Sequence, residues 1–187
     1  MSRCYRISIN ESLRRHIEVD DGVEIPLELL DILPPERMIE LLGAELTARG
    51  YTAKDGRYSK VFPGNIEVTL DPAEGVVAVG TSTSAELELS ESLSRTVVEE
   101  AEEAQTAELR AAATERLRRR AEEAQQSLRS ALTTQLEESL AEIRSEIDQA
   151  INRATAEALK EKARQLGDVQ EIHEDPDTGA LTIRVRV

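Results

Sequence analysis

Few side chains in this 187-residue chain are of a type that could do chemistry. The one cysteine, Cys4, shares the N-terminal stretch with His16. A histidine within hydrogen-bond reach of a thiol can activate it as a nucleophilic thiolate. The plainer reading is a small strand cysteine and a surface histidine beside Arg14 and Arg15. His173 stands among Glu171, Glu174 and Asp175, a set that could take a divalent cation; the plainer reading is an exposed strand residue. Glu18, Asp20 and Asp21 could offer oxygens to calcium, but their spacing does not match the EF-hand loop and reads as a solvated turn. There is no Gly-rich phosphate loop, no His-Glu-x-x-His and no Cys-x-x-Cys. The expectation is therefore a protein that is not an enzyme, with no catalytic residues, no cofactor and no metal.

The elements that would have to position such residues are more informative. Cys4 to Ile9 alternates as a short strand, and Asp20-Asp21-Gly22 reads as a turn. Pro34-Pro35-Glu36 opens a helix whose apolar face is Met38, Leu41, Leu42 and Leu46, and Gly50 suits its C-terminal cap. Arg57 to Phe62, Ile66 to Leu70 and Val76 to Thr81 read as strands, and Ser84 to Leu89 as a fourth. Val169 to Glu174 and Ala180 to Val187 return to β structure. Asp71-Pro72-x-x-Gly75 and Asp175-Pro176-x-x-Gly179 share one turn chemistry: Asp starts the turn, Pro presets it and Gly supplies positive φ.

Between these ends, from about Ser90 to Leu166, there is no glycine and no proline, and Ala, Glu, Arg, Gln and Leu dominate. That composition builds long helices. At roughly 1.5 Å per residue one unbroken helix would be on the order of 110 Å long. Its apolar stripe runs Leu117, Ala121, Ala124, Leu128, Leu132, Leu136, Leu140, Ile143, Ile147, Ile151, Ala154, ten steps over 37 residues. The mean step of 3.7 residues exceeds the roughly 3.5 of a leucine zipper, so the stripe is nearly straight. No breaker forces a hairpin, and Gly167 ends the helix.

The charge excludes partners. The net charge is −14, with −8 in residues 1–91, −3 in 92–166 and −3 in 167–187. A negative surface repels nucleic acid and anionic lipid. Arg118-Arg119-Arg120 is a local exception that reads as a solvated helix patch among Glu115, Glu122 and Glu123. One cysteine, no secretory signal and no apolar run of transmembrane length give the expectation of a cytoplasmic protein. Aromatic residues are 2% of the chain, which argues against one large globular core.

The passage from Asn152 to Gly167, followed by Glu171-Ile172-His173-Glu174-Asp175-Pro176 and Gly179-Ala180-Leu181-Thr182-Ile183-Arg184-Val185, resembles the small accessory proteins encoded with FtsH-like AAA+ ATPases in bacterial "ternary" conflict systems. The resemblance is looser in the N-terminal part. It implies a non-enzymatic component working beside an AAA+ ATPase and supplies no catalytic residues. The ATP loop, zinc motif and membrane spans of an FtsH protease are not in this chain.

The expected fold is α+β: a small β-rich head with one short helix (1–91), a long coiled-coil-like helix (92–166) and a C-terminal β-hairpin (167–187). The expected function is that of an interaction or scaffold protein. It would assemble through Leu117, Leu128, Leu132, Leu136, Leu140, Ile143, Ile147 and Ile151, with itself as a homo-oligomer, with a protein of the AAA+ ATPase system, or with both. The alternative is a regulatory or ligand-binding head tethered by a passive helix.

Overall fold

The computed structural model describes residues 4–98, 102–174 and 181–186, with Cys4 and Tyr5 as backbone alone. It is α+β. The elements run β1 (Cys4–Pro26), α1 (Pro35–Ala48), β2 (Thr52–Lys54), β3 (Arg57–Phe62), β4 (Ile66–Asp71), β5 (Val76–Val98), α2 (Glu102–Leu166), β6 (Asp168–Glu174) and β7 (Leu181–Arg186). One sheet has the order β1-β5-β4-β3-β2, and β6 and β7 form a second. The hairpins flanking the two Asp-Pro-x-x-Gly sequences therefore lie in different sheets. The second of those turns, 175–180, is outside the described residues.

Two sequence expectations are corrected. β1 does not stop at Ile9, and Asp20-Asp21-Gly22 is strand, not turn. The inward positions Ile9, Ile17 and Val19 are buried, and that alternation carries the strand through its charged middle. β5 likewise runs on to Val98, so residues 92–98 are strand where helix was expected. Leu and Glu favour helices, but Leu87, Leu89, Leu93 and Val97 keep a period of two, and half-burial of one strand face overrides propensity. The helix α2 is one 65-residue element, as the absence of a breaker predicts.

The chain divides into two compact units: residues 1–21 with 82–134, and residues 22–81 with 135–187. In the first, β1 and β5 form a ribbon beneath α2. Cross-strand side-chain pairs, Arg6–Ser94, Arg14–Glu88 and His16–Glu86, fall on β5 as they rise on β1, so the pairing is antiparallel. Leu132 packs on Ile17 and Val19 with Leu87 and Leu128 around them. Leu109, Ala113, Leu117 and Ala121 are buried, and the two alanines let the helix approach closely. Arg116 and Arg120 both reach Glu91, at 3.2 and 3.4 Å.

In the second unit β2, β3, β4 and the start of β5 pair antiparallel in sequence order. α1 follows its signals: Pro35 in the first turn, Glu36 at the positive end, and Met38, Leu42 and Leu46 buried. Gly50, at φ 88°, leaves the helix in the conformation that glycine adopts freely. The core joins Leu42 and Leu46 to Tyr51, Phe62, Ile66, Val68, Leu70, Val77 and Val79, and to Leu136, Ile143, Ile147, Ala150 and Ala154 of α2. Burying each such large aliphatic chain contributes about 1.5–3 kcal/mol. Gly43 is required where Tyr58 crosses α1, since a Cβ there would collide with the phenol. In the β6–β7 hairpin Ile172 stands opposite Ile183 and Val169 opposite Val185.

Candidate functional site

The most developed polar cluster among the described residues lies in the second unit, and its centre is Lys60. β3 alternates Tyr58, Lys60 and Phe62 on its inward side, so the pleat places a lysine between two aromatic residues. The Lys60 ammonium lies 5.2 Å from the Tyr51 ring centre and 4.9 Å from that of Phe62. The two rings meet edge to face at 6.5 Å and 65°. Lys60 Nζ pairs with Glu146 Oε1 of α2 at 2.6 Å and donates to the Arg49 carbonyl at 3.1 Å. That carbonyl caps the C-terminus of α1, where a helix favours positive charge. One ammonium thus ties α1, β3 and α2 together.

Around it Arg49 pairs with Glu45 at 2.9 Å and reaches Gln149 Oε1 at 3.4 Å. Arg49, Lys60, Glu142, Ser145, Glu146 and Gln149 line an open depression of about 450 Å³. The Tyr51 hydroxyl is buried with no hydrogen-bond partner among the described residues. Burial, with the Glu146 carboxylate adding to it, pushes the phenol well above its ordinary value, so it stays protonated. On the opposite face of the sheet, Arg57 pairs with Asp71 at 2.8 Å and holds its carboxyl below the usual range, helped by the Glu74 amide. The arrangement fixes three elements to one another. No histidine or thiol belongs to it among the described residues.

The residues singled out from sequence are placed elsewhere. Cys4 and His16 lie twelve positions apart on one extended strand, about 40 Å at roughly 3.3 Å per residue, so they form no nucleophile–base pair. His16 Nδ1 instead meets Glu86 at 2.7 Å on the exposed face of the ribbon. Of the carboxylates around His173, Glu171 pairs with Arg184 and Glu174 with Arg153 and Lys160, and Asp175 lies outside the described residues. No group able to hold a metal occurs among the described residues. Glu18 and Asp20 share one strand face, while Asp21 accepts from the Thr133 hydroxyl at 2.5 Å. In the basic run Arg118 pairs with Glu115 and Glu122.

The helix stripe is taken up within the chain. Leu117 and Leu132 are buried in the first unit, and Leu136, Ile143 and Ile147 in the second. Leu128, Leu140 and Ile151 are partly buried against the same clusters. Lys60, Glu146 and Tyr51 were not singled out from sequence. The available signal was a lysine at an inward position of an alternating strand.

A long helix carrying a sheet and a hairpin defines an α+β protein with no helix, among the described residues, long and apolar enough to cross a membrane. The chain belongs to the FtsH ternary system domain X5 family, whose model matches residues 1–187. It is thereby an accessory component of the FtsH ternary system, as the C-terminal resemblance implied. No curated protein and no solved structure gave a significant match.

Proposed function

We propose that this chain is a non-enzymatic interaction protein of its FtsH ternary system, presenting β elements from a helical spine to an FtsH-like AAA+ ATPase of that system in the cytoplasm. The observation that carries this reading is the division of labour on α2. One stripe holds the hydrophobic clusters of both units, and the remaining faces project alternating Arg and Glu into solvent. A helix used in this way positions surfaces and leaves its chemistry to a partner. Self-assembly is part of the reading. The stripe's deepest residues already serve the cores, so contact between copies through the helix would draw on its half-buried members Leu128, Leu140 and Ile151. The net charge of −14 makes nucleic acid and anionic membrane poor partners.

The test is titration of the purified chain into the purified ATPase, followed by sedimentation velocity with and without nucleotide. A saturable complex is the expected result; a folded chain that sediments separately in every nucleotide state contradicts the reading. The second reading, a regulatory ligand site, has the depression beside Lys60 in its favour. It stands second because Lys60 and Arg49 are already engaged by Glu146 and Glu45, which an anionic ligand would have to displace.

A further inference from the structure

The outer edge of β1 is the least protected feature of the first unit. β1 ends the sheet order, so among the described residues no strand pairs with that edge. A long unpaired edge is a template for another strand, and proteins blunt such edges with charges, proline, bulges or a cover; along β1 the charges serve this role, and its proline, Pro26, comes only at the end of the strand. The solvent face of β1 carries, in order, Arg14, His16, Glu18 and Asp20: two basic positions and then two acidic ones, symmetric about Ile17. The first two are matched within the ribbon by Glu88 and Glu86. Further along the same face, β5 offers Ser84 and Ser82 in place of acids or bases. Glu18 and Asp20 are exposed and have no ion pair among the described residues.

We propose that β1 pairs, edge to edge and antiparallel about Ile17, with β1 of a second copy of this chain. That register sets Arg14 opposite Asp20 and His16 opposite Glu18 of the other copy, twice over by symmetry, and closes as a two-fold dimer. It gives Asp20 the Arg14 guanidinium, and Glu18 the His16 imidazole, as a cross-strand neighbour. Pairing β1 with β5 of the second copy would instead return Glu18 and Asp20 to serines and would propagate without closing. The helices fit as well. Each α2 lies over both strands of its ribbon, as the packing of Leu132 on Ile17 and Val19 with Leu87 beside them shows. Two strands at roughly 4.8 Å spacing set the two helices about 10 Å apart, a normal inter-helix distance. The inference rests on the reading of the chain as an interaction protein and names one partner.

The experiment is light-scattering mass across a concentration series for three full-length forms: the unaltered chain, Glu18→Lys with Asp20→Lys, and Arg14→Glu with His16→Glu, with circular dichroism melts to confirm folding. The unaltered chain is expected to dimerise, less tightly as salt rises. Each variant alone should dissociate roughly tenfold or more readily, since like charges then face each other, and an equimolar mixture of the two should recover the dimer. A monomer at every concentration overturns the proposal, as does a dimer indifferent to both variants or an open-ended polymer. Amide exchange on the unaltered chain needs no variant: protection across residues 13–21 should rise with concentration, and unchanged protection overturns the proposal. A monomer that still binds the ATPase defeats this inference while leaving the functional reading intact.

Discussion

Lys60 shows how one side chain can connect three elements. Its ammonium is held by two ring faces, a carboxylate and a helix-terminal carbonyl, and each recognises charge in a different way. The Tyr51 hydroxyl beside it is buried, and no group among the described residues accepts from it or donates to it. A buried hydroxyl without a partner costs about 1–3 kcal/mol. Tyr51→Phe keeps the ring under Lys60 and is therefore expected to leave stability unchanged or raise it by about 1 kcal/mol. Urea denaturation measures this, and a loss of more than about 1 kcal/mol would contradict the assignment. None of this was legible in the sequence beyond the inward position of Lys60. The carboxylate that answers it, Glu146, is 86 residues away, and long-range pairing leaves no local signature.

The elements were legible to the degree that one local rule governed them. α1 and strands β3 and β4 carry both a clean period and punctuation, and sequence and structure agree on them within a residue or two. β1 and β5 carry the period without the punctuation. Asp20-Asp21-Gly22 looks like a turn, and residues 92–98 fall in the stretch expected to be helix, but in each case the alternating inward residues continue through. The three residues of β2 have too little pattern to be noticed. These strands depend on α2. The core around Val68, Leu70 and Val79 is completed by Leu136, Ile143, Ile147, Ala150 and Ala154. A truncated chain of residues 1–91 is therefore expected to lack a cooperative thermal transition, because removing five buried partners exposes the sheet's inner face. A sharp melt with native-like near-ultraviolet dichroism would show that the first 91 residues are a domain in their own right.

At the scale of the whole molecule, α2 contributes its apolar stripe to the hydrophobic clusters of each unit. The stripe read from sequence is real: Leu117, Leu132, Leu136, Ile143 and Ile147 are all buried. What the sequence could not disclose is what covers it. A period near 3.7 residues specifies an apolar face, and a sheet satisfies such a face as well as a second helix does. The chain's membership of the FtsH ternary system domain X5 family covers residues 1–187, so both units belong to it. The most direct measurement combines a thermal melt with light-scattering mass for Leu136→Asp with Ile143→Asp. If the stripe belongs to the chain's own core, each buried carboxylate costs several kcal/mol and the cooperative transition is lost or lowered by tens of degrees. A variant that melts like the unaltered chain and differs only in its mass in solution would contradict the account and assign the stripe to contacts between chains.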